Sequence, residues 1–330
     1  MTARDLSVHR VALRTRFRGL DARDGVLLHG DAGWGEFSPF WDYDDAESRP
    51  WWRAALEAAD EGWPDPVRDA VPVNVTVPAV DADLARAIVR RSAGCRTAKV
   101  KVAEPGQTLA EEVARLEAVR DELGPGGRVR IDANGAWDVD EAVRRLRALD
   151  RAAGGLEYVE QPCATVAELA AVRRAVDVPV AADESVRRAE DPLAVARAGA
   201  ADVVVLKVQP LGGVRACLRL AEEAGLPVVV SSALETSVGL AAGVALAAAL
   251  PELPYACGLA TAQLLRDDVV AEPLLPVAGA IAVRRVAPDP DLLQRHAADA
   301  DLTRRWRARV AAVAGGAPGG TPGDRAEGAA

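Results

Sequence analysis

Charged side chains end a series of short apolar segments in this sequence, and their types are suited to chemistry. Three of them are acids and one is a lysine: Asp132, Glu160, Asp183 and Lys207. They are separated by 28, 23 and 24 residues, about the length of one strand, one helix and two short loops. The spacing therefore predicts repeated strand–helix units with a reactive residue at each strand end.

Two further lysines, Lys99 and Lys101, lie in the segment TAKVKV, and alternate residues of a strand share one face. In a parallel barrel that face is the interior, where charge is costly unless it is paired or binds a metal. Converging carboxylate oxygens suit a hard divalent cation, so Asp132, Glu160 and Asp183 are candidate Mg²⁺ ligands. The alternative is a structural ion network in which the acids only neutralise the lysines.

A metal beside lysines suggests removal of a proton next to a carboxylate. Such a reaction creates an enediolate, whose second negative charge must be stabilised as it develops. A lysine base must be neutral, and nearby cations favour the loss of its proton. The three histidines, at positions 9, 29 and 296, lie outside the strand ends. Lysines and carboxylates are therefore the candidates for proton transfer.

The elements that position these residues alternate between strands and helices. From about residue 72 to 261, apolar strands and helical patterns follow one another, which predicts a parallel sheet, and the period favours closure into an eight-stranded barrel. One of the helices is predicted over 191–198. Residues 7–37 alternate between apolar and polar types and predict an antiparallel meander. A further helix is predicted over 291–313.

These patterns divide the chain into four parts. Residues 1–71 and 274–313 are predicted to build a capping domain, and residues 72–273 the barrel. Residues 314–330 contain the low-complexity stretch GGAPGGTPGDRAEGAA and are predicted to be disordered.

Net charge, apolar runs and cysteine spacing argue against several classes of protein. The net charge of −9 and the pI near 5.1 argue against nucleic acid or an anionic membrane surface as a partner. No charge-free apolar run reaches about 18 residues, and the first residues lack a signal-peptide core. The apolar stretch VGLAAGVALAAAL predicts a buried barrel helix. The four cysteines show no metal-ligand spacing, so we expect reduced, buried thiols in a cytoplasmic protein.

Five ordered motifs match a known family: KVK at 99–101, DAN at 132–134, EQP at 160–162, DES at 183–185 and LK at 206–207. They resemble the muconate-lactonising-enzyme subgroup of the enolase superfamily. The resemblance implies a (β/α)7β TIM-like barrel with an α+β capping domain formed by the N-terminal segment and C-terminal residues. It also implies Mg²⁺, with Mn²⁺ as an alternative, bound by Asp132, Glu160 and Asp183. Lys101 is then the acid/base residue, and Lys207 faces it.

Within this subgroup, the short chain resembles dehydratases of menaquinone biosynthesis. The similar segments are LRTRFRG (13–19), GWGEFSP (33–39) and SSALETSVGL (231–240). The resemblance implies a hydro-lyase acting on a small-molecule carboxylate, 2-succinyl-6-hydroxy-2,4-cyclohexadiene-1-carboxylate. Lys101 would remove the α-proton and then protonate the leaving hydroxide, while Lys207 stabilises the enediolate.

Two other hypotheses stay open at this point. Opposed lysines equally suit an N-acylamino acid racemase or a dipeptide epimerase, and a cycloisomerase is a weaker version of the same alternative. A non-catalytic binding barrel is the other hypothesis, although no expected metal or lysine position is substituted. We expect a monomer.

The remaining candidates orient groups or contact the substrate. Asn134 and Glu184 would orient metal ligands or Lys207, or are strand-end turn residues. Lys99 would tune its neighbour or balance an acid. Possible substrate contacts are Ser231, Ser232, Gly212 and Gly213. The cap segments 15–20 and 38–43 are expected to close over the substrate with Phe17, Phe40 and Trp41.

Overall fold

A three-stranded antiparallel sheet begins the described part of the chain. The structure is a computed structural model that describes residues 5–17 and 19–315. The strands are β1 (Leu6–Phe17), β2 (Leu20–Gly30) and β3 (Gly33–Phe37), each paired with the next. Buried and exposed side chains alternate along much of β1, as one half-buried face requires. The predicted meander is confirmed.

A helix covers one face of this sheet. α1 (Asp45–Leu56) begins at Asp44, whose side chain accepts a hydrogen bond from the backbone N–H of Glu47. The Glu47 side chain accepts one in return from the backbone N–H of Asp44. Trp52 on α1 meets Phe37 edge to face, with 5.4 Å between the ring centroids. The aromatic contact fixes α1 on the sheet.

Parallel strands build the second part of the fold. A short strand β4 (Ala70–Pro72) comes first and pairs antiparallel with a strand near the end of the chain, Ala280–Ala282. The parallel strands then follow in chain order: β5 (Val75–Val77), β6 (Thr97–Lys101), β7 (Arg128–Asp132), β8 (Leu156–Glu160), β9 (Val180–Ala182), β10 (Val203–Lys207) and β11 (Val228–Ser231). Strands β5 to β11 pair in sequence order. Cys257 bridges Val73 and Gly258 bridges Ser231, so a short extended segment closes the sheet. The predicted barrel is confirmed, with an eighth strand reduced to these bridges.

Helices cover the outside of the barrel. After the π-helical turn Glu57–Glu61 they are α2 (Ala82–Arg90), α3 (Leu109–Leu123), α4 (Val139–Ala153), α5 (Val166–Ala175), α6 (Glu184–Arg187), α7 (Ala194–Arg197), α8 (Val208–Leu211), α9 (Val214–Ala224), α10 (Ser237–Ala249) and the 3₁₀ turn Ala260–Leu264. The helix predicted over 191–198 is wrong in extent, since α7 is a single turn. The Asp191 side chain accepts a hydrogen bond from the Leu193 N–H before it, and Gly199, with φ of 56°, ends it.

The apolar helix α10 is almost wholly buried, as predicted for a barrel helix. Among the residues described, the structure has no helix with the length and apolar character that a membrane crossing requires. All four cysteines are buried and free, which confirms the expectation of unpaired thiols.

The chain then returns to the capping sheet. The last elements are β12 (Ala280–Ala282), α11 (Pro290–Arg295) and α12 (Ala300–Gly315). The single helix predicted over 291–313 is wrong. Ala297 leaves helical geometry to bridge His9 of β1, and Asp299 starts α12 by accepting a hydrogen bond from the Leu302 N–H at 2.8 Å. The predicted domain limits stay predictions, and most of the predicted disordered tail lies outside the described residues.

Two buried acids lie where the capping sheet contacts the start of α10. Glu36 accepts hydrogen bonds from the Thr236 hydroxyl and, at 3.1 Å, from the Gly239 N–H. Glu235 accepts one from the Ala233 N–H at 2.8 Å. Burial, followed by the negative charge of Glu36, raises the pKa of Glu235 to about 7. Ionised Glu235 is therefore unfavourable in the folded protein.

This environment predicts a pH-dependent effect of Glu235→Gln. Because the folded-state pKa is raised, folded protein binds more protons than unfolded protein between about pH 4.5 and 7, and wild-type stability falls as pH rises through that window. The glutamine side chain does not ionise. The unfolding free energy of the variant relative to wild type therefore rises by roughly 1–3 kcal/mol from pH 5 to pH 8.

Urea unfolding at the two pH values measures this difference, with Glu222→Gln on the exposed side of α9 as the matched control. A Glu235→Gln effect that is equal at both pH values would contradict the assigned burial cost.

Candidate active site

Strand register brings the predicted residues to one end of the barrel. Lys101 on β6 is level with Asp132 on β7, and Asp132 is level with Glu160 on β8. Asp183 directly follows β9, and Lys207 ends β10. Because carboxyl ends of parallel strands meet at one barrel face, the residues converge there.

Lys99 and Lys101 neutralise two of the buried acids. The Lys99 Nζ donates to both carboxylate oxygens of Glu160, at 2.7 and 2.9 Å, and lies 3.2 Å from Asp132. The Lys101 Nζ donates to Asp132 Oδ2 at 2.5 Å and to Asn134 Oδ1 at 2.7 Å. Both acids are 1% exposed, so these charges could not remain buried without such partners.

Asp183 is neutralised from two sides. Lys207 Nζ donates to its Oδ2 atom at 2.5 Å, and Arg187 Nε donates to its Oδ1 atom at 2.9 Å. The three lysines of this site are also the only lysines in the 330-residue sequence, in which every other Lys or Arg position is arginine. That compositional signal was available from the sequence and was not used in the prediction.

Burial and charge set the protonation of the acids. Burial would raise the pKa of Asp132, but the charges of Lys101 and Lys99 hold it well below its usual value. Burial likewise opposes ionisation of Asp183, and Arg187 and Lys207 hold its pKa low. For Glu160, burial and then the charge of Asp132 raise the pKa to about 7. Of the three acids, Glu160 is therefore the one whose negative charge is least compensated by nearby cations.

The donor set fits a hard divalent cation. Asp132, Glu160 and Asp183 present only oxygen atoms from three successive strands, and the raised pKa of Glu160 reflects negative charge that a cation would relieve. Within the described ranges no three acidic, histidine or cysteine side chains are grouped closely enough to hold a metal. Each acid instead points to an ammonium or guanidinium group. Metal binding at these acids would therefore require the lysines to give up carboxylate oxygens, Lys99 at Glu160 as well as Lys101 at Asp132 and Lys207 at Asp183.

A small cavity lies beside these charges. It has a volume of about 30 Å³, enough for roughly one water, and its walls include Phe17, Phe40 and Leu234. A larger cavity of about 800 Å³ is lined by Val75 and Thr76 of β5 among others, but none of the strand-end lysines or acids lines it. The lysines and the acid that line the smaller cavity, rather than its volume, identify it as the candidate site.

The remaining candidates differ in whether they line the small cavity. Ser231 and Ser232 line the small cavity, and the Ser232 hydroxyl is 2.7 Å from that of Thr261. Gly213 lies away from the cavity walls, against the Glu57 carboxylate, which accepts a hydrogen bond from the next backbone N–H. Gly212 lies beside it and contacts α1. Both glycines thus serve the contact between the two domains.

The aromatic cap residues divide in the same way. Phe17 and Phe40 line the cavity, and the Lys101 Nζ is 5.7 Å from the Phe17 ring centroid. Trp41 does not line it: the side chain is 40% exposed and stacks on Trp306 of α12. Its apolar character was a poor guide because tryptophan also suits the edge of a domain.

Asn134 and Glu184 belong to one hydrogen-bonded group. Asn134 Nδ2 donates to Glu184 Oε1 at 3.1 Å, while its carbonyl oxygen accepts from Lys101. Asn134 contacts Lys101 and, through its backbone N–H at 3.0 Å, the candidate ligand Asp132, while Glu184 contacts Arg187. Of the expected partners, a metal ligand or Lys207, these hydrogen bonds reach the candidate ligand. The backbone of Asn134 has a φ of 48°, which asparagine tolerates better than most residues.

Two positioning residues were missed from the sequence. Gln161, within EQP, accepts hydrogen bonds from the backbone N–H groups of Asp183 and Ser185 at 3.0 and 3.2 Å. Arg187 lies three and four residues after Glu184 and Asp183, a spacing that places them on one helical face. That spacing could have identified Arg187.

Family models match both parts of the chain. The model described as Enolase N-terminal domain-like matches residues 8–59, and the one described as Enolase C-terminal domain-like matches residues 81–288. The muconate lactonizing enzyme from Pseudomonas fluorescens, solved with muconolactone, superposes with a TM-score of 0.78 at 22% identity over 90% of this chain and 98% of that one. The L-Ala-D/L-Glu epimerase from Bacillus subtilis superposes with a TM-score of 0.73 at 23% identity, over 87% and 96%. These two comparisons concern the fold alone.

Curated relatives are more similar in sequence. The o-succinylbenzoate synthase of Thermobifida fusca is 68% identical over 304 residues, covering 92% of this chain and 94% of the relative. The synthase of Mycolicibacterium smegmatis is 55% identical over 307 residues, with coverage of 92% and 94%. The synthase of Mycobacterium tuberculosis H37Rv is also 55% identical, with 93% of each chain covered.

Proposed function

We propose that this chain, which belongs to the o-succinylbenzoate synthase family of the enolase superfamily, converts 2-succinyl-6-hydroxy-2,4-cyclohexadiene-1-carboxylate to 2-succinylbenzoate and water. The observation that carries the proposal is 55–68% identity to synthases over more than nine-tenths of the chain. It favours this hydro-lyase of menaquinone biosynthesis over a racemase or epimerase, because the likeness to an epimerase extends only to the fold.

The reaction starts at the carbon next to the substrate carboxylate. We assign removal of its proton to Lys101, whose Nζ is at the cavity wall. The electrons of the broken C–H bond pass toward the carboxylate to form an enediolate, and Lys101 becomes an ammonium group. That ammonium then gives its proton to the hydroxide that leaves the neighbouring ring carbon. One water is released, the ring becomes aromatic and Lys101 is again neutral.

Charge stabilisation would come from the opposite side of the barrel. Lys207, on β10, faces Lys101, on β6, and as a cation it stabilises the enediolate. Asp132, Glu160 and Asp183 would hold Mg²⁺, or Mn²⁺ in its place. The bound ion would supply a Lewis acid for the second negative charge of the enediolate.

The cap walls would admit the substrate and then exclude water. A cavity of about 30 Å³ is too small for a cyclohexadiene ring with two carboxylates, so Phe17 and Phe40 must move apart on binding. The hydroxyl groups of Ser231 and Ser232 are suited to bind a substrate carboxylate. Closed aromatic walls then strengthen the charge interactions inside.

Cellular location and partners are proposed from the charge and the cysteines of the chain. We propose a cytoplasmic monomer that takes a small-molecule carboxylate and uses neither nucleic acid nor a membrane as partner. Support comes from the acidic pI near 5.1 and from four free, buried cysteines, which are typical of reducing compartments.

Purified protein with Mg²⁺ should dehydrate the cyclohexadiene substrate, and replacement of Lys101 should abolish turnover. We expect Lys101→Ala and Lys101→Arg each to lose roughly 10²–10⁴-fold in kcat. The arginine variant is the sharper test, because arginine keeps the positive charge beside Asp132 but does not act as a base near neutral pH. Ultraviolet detection of 2-succinylbenzoate measures turnover. Inactive metal-loaded wild type would refute the proposed function, and a Lys101→Arg variant within tenfold of wild type would exclude Lys101 as the base.

Mg²⁺ should raise the unfolding temperature of the wild-type protein, because a ligand that binds only folded protein stabilises it. The gain at a hundred times the dissociation constant is about 2.7 kcal/mol. Asp132→Asn should lose most of the gain, whereas Asp121→Asn, an exposed change on α3, should keep it. Differential scanning calorimetry with and without Mg²⁺ makes the comparison. An unchanged wild-type unfolding temperature at saturating Mg²⁺ would instead support a non-catalytic barrel.

A further inference from the structure

A continuous path of hydrogen bonds joins the capping domain to Lys101. The Tyr43 hydroxyl accepts from Arg187 Nη1, and Arg187 Nη2 donates to Glu184 Oε1. The same oxygen accepts from Asn134 Nδ2 at 3.1 Å, and Asn134 Oδ1 accepts from Lys101 Nζ at 2.7 Å. The Arg187–Tyr43 hydrogen bond is the step of the path that crosses from the barrel to the capping domain.

Arg187 has a second connection to the charged site. Its Nε donates to Asp183 Oδ1 at 2.9 Å, while Lys207 occupies Asp183 Oδ2. The Arg187 side chain is only 2% exposed, and the other Glu184 oxygen, Oε2, has no hydrogen-bond partner among the described residues. Arg187 thus supplies the main compensating charge for Glu184 and fixes one oxygen of Asp183.

The capping end of the path is held firmly. Arg309 of α12 is buried and donates to the backbone carbonyls of Pro39 and Phe40, at 3.3 and 3.0 Å, and to the Tyr43 carbonyl. It also donates to the Ser48 hydroxyl at 2.9 Å. The segment 39–43 therefore carries a cavity wall, Phe40, and the Arg187 contact, Tyr43, as one unit.

We infer that Arg187 is a positioning residue that links the seating of cap segment 39–43 to the placement of Asp183 and, through Glu184 and Asn134, of Lys101. Three donor groups of one planar guanidinium bind three separate acceptors, an arrangement that lysine cannot reproduce. Neither Arg187 nor Tyr43 lines the cavity, so both act through other residues. The kinetic consequence rests on the proposed function, whereas the placement of Lys101 does not.

A test that needs no turnover uses the small number of lysines. Uniform ¹³Cε-lysine labelling gives three side-chain resonances, which single Lys→Arg variants assign. In metal-free protein, Tyr43→Phe, which leaves the three lysines unchanged in number, should shift the Lys101 resonance and leave that of Lys99 in place. Arg90→Gln is the matched control, because Arg90 binds Glu122 at the surface between α2 and α3, away from segment 39–43 and from Asp183.

Kinetics then separate positioning from folding. We expect Arg187→Lys to lower kcat by roughly 10–100-fold and Tyr43→Phe by about tenfold, with KM and unfolding temperature near wild type. Tyr43→Phe removes only a hydroxyl, so it remains informative where Arg187→Lys does not fold. In the double variant with Asn134→Ala, the Tyr43→Phe effect should disappear, because both act on Lys101 through one path.

The inference is overturned by an unmoved Lys101 resonance in Tyr43→Phe, or by losses in kcat that simply multiply in the double variant. An inactive wild type with a shifted Lys101 resonance would refute the proposed function and leave the positioning role intact. The two failures are therefore distinguishable.

Discussion

The burial of three carboxylates at one end of a barrel is the constraint on which the site depends. Each of these charges is unfavourable without a partner at close range. Asp132, Glu160 and Asp183 obtain partners from Lys99, Lys101 and Lys207. Two of these lysines, Lys101 and Lys207, are the residues that we propose act on the substrate. The choice between a structural network and a metal site is therefore a choice between two states of one cluster. In this structure the lysines neutralise the acids. On the proposed function, a bound divalent cation would take over part of that role and leave Lys101 and Lys207 free to face the substrate.

The capping domain does more than cover the end of the barrel, because its residues also contact the charged site. The segment from Pro39 to Tyr43 contributes a cavity wall and contacts Arg187 at the barrel. It also accepts three hydrogen bonds from Arg309 of α12, which donates a fourth to Ser48. Residues from both ends of the described chain thus determine how the cap segment lies over the strand ends. A barrel with the same strand-end residues but a loosely held cap would form the same ion pairs. On our inference, it would lack the link by which the cap segment positions Lys101.

The strand ends could be predicted from the sequence because charge that interrupts apolar runs at a fixed period has few structural explanations. The contact between Tyr43 and Arg187 could not, since 144 residues separate the two and no local pattern indicates their contact. Local patterns also misled where tertiary contacts override propensity. The helix predicted over 291–313 breaks because Ala297 pairs with β1, and the final barrel strand is so short that only its bridges to neighbouring strands reveal it. Trp41 was expected at the cavity from its apolar character, whereas its ring packs on α12.

The central claim is that a divalent cation replaces lysines at the buried acids and frees Lys101 to act on the substrate. A crystal structure with Mg²⁺ and 2-succinylbenzoate tests it most directly. The account predicts a cation bound to Asp132, Glu160 and Asp183, with Lys101 Nζ turned from its 2.5 Å contact with Asp132 toward the ligand. A structure in which Lys101 stays paired with Asp132 while the cation and ligand bind elsewhere would contradict it.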